Sequence, residues 1–218
     1  MFLCAVIGAA NGYFVMPQSG SASDKDRNET EIENEFLFGA AEDVPDLVLE
    51  YFRDIEYRDW VTEFFASICS NRDIAEAILY NCNNNNVSPS LAFALCWEES
   101  RFNPNAVNRH NRDGSIDRGL FQLNSNSFPN LDNSAFFNIY ANSRNAIEHL
   151  RQCMDLGGSE ISALAMYNAG EGRVKSTGTP HVTLNYISRI LENRARIDRR
   201  FHSRLISEEE ARLQKNEQ

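Results

Sequence analysis

The order of apolar and polar residues along the chain predicts a mainly α-helical protein. From residue 45 onward, apolar side chains recur at intervals of three and four residues, the spacing that gives a helix one buried face. Two such helices come first, within residues 45–70, and we expect them to brace the domain that follows. Their apolar residues are Leu47, Val48, Tyr51, Phe52 and Ile55 in the first helix and Trp60, Val61, Phe64, Phe65 and Ile68 in the second.

A helix that is apolar on all sides is predicted over residues 88–100. Ser88 suits the N-cap position and Pro89 suits the first helical position. Every residue from 91 to 97 is apolar, so this helix has no wet face and should be buried at the centre of the domain. Its last turn carries two adjacent carboxylates, Glu98 and Glu99.

Weaker sequence patterns predict the elements on either side of this central helix. A helix over residues 73–82 leads into four asparagines, residues 83–86, which we interpret as a loop because asparagine tolerates turn conformations. Asp113 and Gly114 form a hairpin signal, which predicts a short β-hairpin or irregular ribbon.

Three helices are predicted after the ribbon. The first covers residues 138–154 and is stopped by Gly157 and Gly158, and Ser159 caps the second. The third is long and begins after Pro180.

The two ends of the chain differ from this core in composition. Residues 2–16 form an apolar segment that is short for a membrane span, and small residues follow it, so residues 1–23 are predicted to be a signal peptide. No Lys or Arg precedes the segment, which leaves an uncleaved membrane anchor or a buried strand as alternatives. Residues 24–44 are predicted to be an acidic linker, and residues 196–218 a charged helical tail that is solvated or frayed.

Charge and cysteine content narrow the function classes. The chain has 31 acidic and 21 basic residues and a formal net charge of −10, which argues against nucleic acid as a partner. If Cys4 leaves with the signal peptide during export to the periplasm or cell envelope, four cysteines remain, with three disulfide pairings open to them. Cys96 lies in the apolar run, where a small buried thiol is expected. No cysteine or histidine spacing is typical of metal ligands, so neither a metal nor a cofactor is expected.

The two carboxylates of the central helix are the candidate catalytic groups. Burial and the negative end of the helix dipole both disfavour an ionised carboxylate there, so its pKa should be raised. A raised pKa suits a general acid near neutral pH. Periodicity does not choose between Glu98 and Glu99, although Glu98 can instead pair with Arg101 three residues further on.

Four sequence blocks resemble those of the soluble lytic transglycosylases. Residues 99–106, E-S-R-F-N-P-N-A, are similar to the family's E-S-x-F-N-P-x-A signature, in which the glutamate is the sole catalytic acid/base. Residues 119–124, G-L-F-Q-L-N, resemble its G-L-M-Q block, and residues 165–170, A-M-Y-N-A-G, resemble its A-x-Y-N-A-G block. Thr183 and Tyr186 fit its final T-x-x-Y helix.

This resemblance, which covers about residues 72–195, implies a fold and an activity. The fold would be a mainly α, lysozyme-like domain over residues 71–195, with a small β-hairpin or ribbon beside the active-site groove. The activity would be cleavage of the β-1,4 bond between N-acetylmuramic acid and N-acetylglucosamine in peptidoglycan, without water, to give 1,6-anhydro ends. Glu99 would act first as acid and then as base. We take the protein to be a monomer.

The resemblance also assigns residues to the site. The Gln122 amide can both donate to and accept from sugar groups, and the two tyrosines can orient Glu99 or touch the sugar. The expected substrate-binding residues are Gln122, Tyr167, Tyr186, Asn108, Phe121, Asn124 and Asn168. The residues expected to shape the site are Ser100, Pro104, Gly119 and Gly170. Ser100 would do so by bonding back to a backbone carbonyl.

The match departs from the family pattern at two positions and leaves other functions open. Asn108 stands where many members have serine, and Val182 stands where some have glutamate. A muramidase of goose-type lysozyme character would need a second carboxylate, Asp113 or Asp117, to hold water. A non-cleaving wall-binding or assembly protein is the third hypothesis. Residues 111–124, with the arrangement N-x-D-G-S-x-D-x-G-x-x-Q-x-N, resemble transglycosylases of secretion and flagellar systems, so such an apparatus is a candidate partner beside the glycan strands.

Overall fold

The structure is a computed structural model that describes residues 45–216 of the 218-residue chain. The predicted signal peptide and acidic linker lie outside the described residues. In the part of the chain that is described, no helix combines the length and the hydropathy needed to cross a bilayer.

Eight helices and three two-residue strands make up the described part of the chain. The helices are α1 (Leu47–Arg53), α2 (Arg58–Cys69), α3 (Arg72–Asn85), α4 (Pro89–Ser100), α5 (Ile139–Gly157), α6 (Glu160–Ala169), α7 (Glu171–Thr177) and α8 (His181–Asn216). The strands are β1 (Val107–Asn108), β2 (Asp117–Arg118) and β3 (Leu123–Asn124), paired antiparallel in the order β1-β2-β3. The predicted mainly α-helical fold with a small β ribbon is therefore confirmed.

The apolar helix α4 forms the centre of the domain. All of its residues from 89 to 96 are buried, and it packs against α3 and α8. The ring of Phe93 lies 4.4 Å from that of Phe65 on α2, measured between centroids. Burying one large apolar side chain contributes about 1.5–3 kcal/mol, so this helix is a rigid support for the residues at its end.

The helix ends follow the predictions in two places and depart from them in one. Ser159 accepts a hydrogen bond from the N–H of Ser162 and caps α6, and Gly158 ends α5 in the left-handed conformation. Although α4 starts at Pro89 as predicted, the Ser88 hydroxyl makes no capping bond.

The asparagine tract is helical, which corrects the prediction of a loop. α3 continues through Asn85, and only Asn86 adopts a left-handed conformation, with φ 49°, as the C-cap. The Asn85 amide donates to the carbonyl of Asn81 one turn earlier, and Arg53 on α1 donates to the side-chain oxygens of Asn83 and Asn86. These hydrogen bonds offset the weak helix propensity of asparagine and tie the end of α3 to α1.

The four described cysteines are free, buried thiols, and no disulfide links them. Burial raises the pKa of each of them, to about 11 for Cys153. Cys96 fits the expectation of a small buried thiol, with its Sγ 3.6 Å from the carbonyl oxygen of Leu120. A protonated, buried thiol behaves as a small apolar side chain, so these residues are part of the core.

The long helix α8 packs back onto the first helices. The expectation of a solvated or frayed tail is wrong for its inner face, because Phe201 is fully buried. The Phe201 ring lies 5.4 Å from the ring of Trp60 and 5.2 Å from that of Phe64, both on α2. Further along α8, the Arg212 guanidinium lies 4.1 Å from the centre of the Tyr57 ring. The charged segment is therefore an amphipathic helix with a buried aromatic contact.

We expect Phe201→Ala to lower the free energy of unfolding by about 3 kcal/mol, since deleting a buried ring leaves a cavity against α2. Ile206→Ala is a matched control on the same helix. The Ile206 side chain is 51 % exposed, so its truncation should change stability by less than about 0.5 kcal/mol. Urea unfolding followed by tryptophan fluorescence measures both variants. Equal losses would show that this part of α8 does not pack on α2.

Candidate active site

The end of α4 presents Glu99 at a sharp turn of the chain. α4 ends at Ser100, and the next two residues, Arg101 and Phe102, have positive φ values of 56° and 62°. These left-handed residues stop the helix before the proline is reached. As expected, the Ser100 hydroxyl donates to the carbonyl oxygen of Cys96, at 3.4 Å. Because α4 is buried almost to its end, the backbone that carries Glu99 is fixed.

Tyr186 on α8 contacts Glu99 directly. Its hydroxyl donates a hydrogen bond to Oε1 of Glu99, and its side chain is buried. One turn earlier, the buried Thr183 donates from its hydroxyl to Oδ1 of Asn168, at 2.8 Å. Asn168 therefore joins α6 to α8, and Gly170, with φ 84°, ends α6 two residues later. These contacts hold the Tyr186 phenol in place.

Burial raises the pKa of Glu99 to about 8. Loss of hydration is the main cause. The negative charges of Asp117 and Glu98 raise the pKa further, and the hydrogen bond from Tyr186 lowers it. The negative end of the α4 dipole acts in the same direction as burial. Glu99 is therefore largely protonated at neutral pH, which is the state that a general acid requires.

Amide groups surround Asp117 in the β ribbon. Its Oδ2 accepts from Nδ2 of Asn108 and of Asn111, both at 2.9 Å, and its Oδ1 accepts from Nδ2 of Asn124 at 2.7 Å. The side-chain oxygens of Asn108 and Asn124 are engaged as well, by backbone N–H groups two residues further along. Both amides, which we expected to contact substrate, are thus used within the ribbon and fix Asp117.

Asp113 closes the turn between β1 and β2 and is exposed. Its Oδ1 accepts from the hydroxyl and the N–H of Ser115, at 2.6 and 3.0 Å, and its Oδ2 accepts from Nδ2 of Asn126 at 3.2 Å. These bonds lower the pKa of Asp113, and the bond from the Ser115 hydroxyl has the largest effect.

No cluster of three or more His, Cys, Asp or Glu side chains within residues 45–216 could hold a metal ion.

The G-L-F-Q block forms a tight turn that is tied to α6. The Tyr167 hydroxyl donates to the carbonyl oxygen of Phe121, at 3.1 Å. The Phe121 side chain is fully buried, so the expectation that it touches substrate is wrong, and its backbone serves the site instead. Gln122 has φ 47°, and its Nε2 donates to the carbonyls of Ala106 and Gly119, at 3.2 and 2.9 Å. Its amide nitrogen holds the turn, and Oε1 makes no hydrogen bond within the described residues.

Asn142 on α5 is a buried residue of the site that the sequence analysis missed. Its Oδ1 accepts from the N–H of Phe121 at 2.9 Å, and its Nδ2 donates to the carbonyls of Arg118 and Phe136, at 3.1 and 2.8 Å. One side chain therefore fixes the backbone on both sides of the G-L-F-Q turn. The available signal was a polar residue on the apolar face of its helix, one turn before Ala146.

Glu98 is held in an ion pair beside the site. Its side chain is 7 % exposed, and its Oε1 lies 2.5 Å from Nη2 and 2.6 Å from Nε of Arg189 on α8. Its Oε2 lies 3.5 Å from Nη1 of Arg101, in agreement with the pairing expected from the sequence. The sequence analysis did not identify Arg189, although this residue follows Tyr186 by one helical turn. Of the two adjacent carboxylates, Glu98 is thus engaged by two guanidinium groups and Glu99 by the Tyr186 hydroxyl.

The raised pKa of Glu99 should make the protein less stable at alkaline pH. Its folded-state pKa is about 8, and its unfolded-state pKa is about 4.3. The stability that this difference contributes is fully present below about pH 4 and is lost as the pH rises through about 8. Glu99→Gln removes this titration, so the variant should exceed wild type in unfolding free energy by a few kcal/mol at about pH 9, and by little at about pH 4. Urea unfolding at both pH values measures the difference, and a pH-independent result would contradict the burial of Glu99.

A comparison with protein-family models covers the first three sequence blocks and Thr183 of the fourth. The model of the transglycosylase SLT domain matches residues 76–185, which is half of the chain. The match begins within α3, includes Glu99 and the β ribbon, and ends within α8. The chain therefore belongs to the transglycosylase SLT family, as a lysozyme-like domain that acts on peptidoglycan.

Proposed function

We propose that the protein is a lytic transglycosylase that cleaves the β-1,4 bond between N-acetylmuramic acid and N-acetylglucosamine without water, leaving 1,6-anhydro-N-acetylmuramic acid ends. One observation carries the proposal. Glu99 lies half-buried at the end of α4, with its pKa raised to about 8 and the Tyr186 hydroxyl on its Oε1. A single carboxyl group in this state can serve as both acid and base.

Glu99 is the general acid in the first step. The Tyr186 O–H donates to Oε1, so the proton of the neutral carboxyl group resides on Oε2. Transfer of this proton to the glycosidic oxygen breaks its bond to C1 of N-acetylmuramic acid and releases the hydroxyl of N-acetylglucosamine. Positive charge develops at C1, and the acetamido group of the same sugar shares it.

Glu99 is the general base in the second step. A carboxylate whose conjugate acid has a pKa of about 8 binds a proton more strongly than a solvated carboxylate does. It takes the proton from the C6 hydroxyl of N-acetylmuramic acid while O6 forms a bond to C1, which closes the anhydro ring. Glu99 ends the cycle protonated, and no water is consumed. The burial that keeps the acid protonated also strengthens the base.

The state of the other carboxylates favours this route over hydrolysis. A muramidase needs a second carboxylate to activate or hold water. Asp117 accepts three amide hydrogen bonds within the ribbon, and Asp113 is exposed and bonded within its own turn. These bonds give both carboxylates a structural role.

Polar groups around Glu99 orient the sugars in this proposal. Oε1 of Gln122 can accept from an acetamido N–H or a hydroxyl, because only the amide nitrogen is used by the turn. The exposed Asn168 uses its Oδ1 to bind Thr183, so its amide nitrogen is the group that can donate to substrate. The phenol oxygens of Tyr167 and Tyr186 retain lone pairs that can accept from sugar hydroxyl groups.

A peptidoglycan substrate also has consequences for the location of the protein and for the roles of the segments outside the catalytic domain. Peptidoglycan lies outside the cytoplasmic membrane, so the proposal requires export, which a signal peptide over residues 1–23 would provide. The catalytic domain is proposed to span residues 71–195, with residues 45–70 as bracing helices. An association with a secretion or flagellar apparatus rests only on the sequence of residues 111–124.

Digestion of purified peptidoglycan in water that carries a heavy oxygen isotope tests the proposal. Mass spectrometry should find fragments one water lighter than hydrolysis products, with no label at the cleaved end. A hydrolase would give labelled reducing ends, and loss of this product in Asp117→Asn or Asp113→Asn would identify its second carboxylate. If wild type releases no fragments, the result contradicts the proposal and favours the third hypothesis, a non-cleaving wall-binding or assembly protein.

A further inference from the structure

An ion pair between the nearly buried Glu98 and the half-exposed Arg189 joins α4 to α8 next to the proposed acid. Arg189 donates from Nε and Nη2 to Oε1 of Glu98, at 2.6 and 2.5 Å, and Tyr186 donates to Oε1 of Glu99. The two glutamates are consecutive on α4, and the two α8 residues that bind them are separated by one helical turn, a spacing that places both on the same face of α8. Each glutamate is thus held by one residue of α8.

Two contacts between α4 and α8 constrain the orientation of α8 more closely than one contact can. The apolar face of α8 already packs in the core through Ile187, Ile190 and Phe201. The two polar contacts add directional constraints on its rotation and register where it meets Glu98 and Glu99. The Glu98 side chain is 7 % exposed and the Arg189 side chain is 52 % exposed, so solvent screens this ion pair from the Arg189 side only. The guanidinium group is planar, which adds a directional preference to the attraction.

We propose that Arg189, acting through Glu98, is a positioning residue that holds the face of α8 presenting Tyr186 to Glu99. The inference rests on the proposed function, because it assigns a role within the same site. Proton transfer needs one oxygen of Glu99 occupied by the Tyr186 hydroxyl and the other aimed at the glycosidic bond. A misplacement of about 1 Å in such a geometry can reduce the rate about 100-fold.

The charges around Glu99 give this contact a second effect. The groups that face Glu99 are Tyr186 from α8, Tyr167 from α6, Asp117 from β2 and Glu98 from α4, with Arg189 and Arg101 as the counter-charges of Glu98. Removing Arg189 leaves the Glu98 charge opposed only by Arg101, at 3.5 Å. The Glu98 carboxylate then repels a negative charge on Glu99 more strongly, so the pKa of Glu99 rises.

Kinetics on purified glycan strands test the proposal with three variants. Arg189→Gln should lower kcat about 10- to 100-fold and change KM less than about threefold, because the acid is misplaced while the substrate groove is kept. Arg189→Lys keeps a positive charge and should recover part of this loss. Arg194→Gln is the matched control, because Arg194 lies on the same helix and pairs with Glu160 at the start of α6. Its kcat should stay within about twofold of wild type at a comparable loss of Tm.

Two outcomes would overturn the proposal. The first is an equal loss of kcat in Arg189→Gln and Arg194→Gln, which would mean that the ion pair only docks α8. The second is an unchanged Glu99 pKa in Arg189→Gln, followed by carbon NMR of the side-chain carboxyl group, where a rise of about 1 unit is expected. The NMR measurement needs no turnover. If wild type cleaves no peptidoglycan, the proposed function fails. The difference in the Glu99 pKa between wild type and Arg189→Gln then still shows whether Arg189 influences Glu99.

Discussion

Glu99→Gln should lower the rate of peptidoglycan cleavage by about 10³-fold or more. Glutamine keeps the size of the side chain and can accept the hydrogen bond from Tyr186, so the protein should fold. Its amide can neither deliver nor remove the proton, and both steps of the proposed reaction need that transfer. Release of soluble fragments from purified peptidoglycan measures the rate, and circular dichroism checks the fold.

Glu98→Gln provides the matched control for this prediction, because it removes the neighbouring carboxylate from the same turn of α4. The amide of glutamine can still accept a hydrogen bond from Arg189, so the loss of rate should not exceed about tenfold. An equal or larger loss than in Glu99→Gln would show that Glu99 is not the acid. In wild type, the rate should fall as the pH rises through about 8, where Glu99 loses its proton.

Gly119→Ala should lower the free energy of unfolding by about 4 kcal/mol, the largest effect on stability that we expect. Gly119 has φ 79°, and a Cβ atom there would lie 2.0 Å from the carbonyl oxygen of Phe136 and 2.4 Å from Nδ2 of Asn142. Neither neighbour can move easily, because one is backbone and the other holds the G-L-F-Q turn through its hydrogen bond to Phe121.

Gly114→Ala is the control for Gly119, because both glycines have positive φ in the same ribbon. Gly114 has φ 76°, and nothing lies within 4 Å of a Cβ atom built on it. This substitution should therefore cost only the backbone strain, about 1 kcal/mol. Urea unfolding of both variants compares their free energies of unfolding. Failure of Gly119→Ala to fold would agree with the larger loss expected for that variant. Two small, equal losses would show that the ribbon can move away from α5.

Residues close together in the sequence were sufficient to predict the central helix α4 and the ends of several other helices. The unbroken apolar run before Glu98 predicted a buried helix, and its residues are buried up to Cys96, whereas Trp97 at its end is 41 % exposed. Ser159 and Gly158 act through bonds to residues within one turn, and the sequence therefore reveals them. The family resemblance selected Glu99 and Tyr186 as site residues. Their direct contact could not be predicted from local sequence patterns, because the two residues are far apart in the chain.

The features that sequence reasoning missed depend on distant parts of the chain. Asn83 and Asn86 stay ordered at the end of α3 because Arg53, on another helix, donates to them. Arg189 and Asn142 looked like ordinary polar residues of helices, and only tertiary packing brings them to Glu98 and to the G-L-F-Q turn. At the end of α8, Phe201 and its neighbours at four-residue spacing are too sparse among charges to predict a buried face.

The span of α8 means that the boundaries of the family match are not folding boundaries. The match ends at residue 185, one position before Tyr186, yet the helix runs on to Asn216 and buries Phe201 against α2. We therefore expect the smallest autonomously folding unit to run from residue 45 to the end of α8, and the amides of α2 and α8 to exchange with solvent in one cooperative opening. Substitutions that loosen the packing of α8 on α2 should then also disturb Tyr186, which lies on the same helix and contacts Glu99.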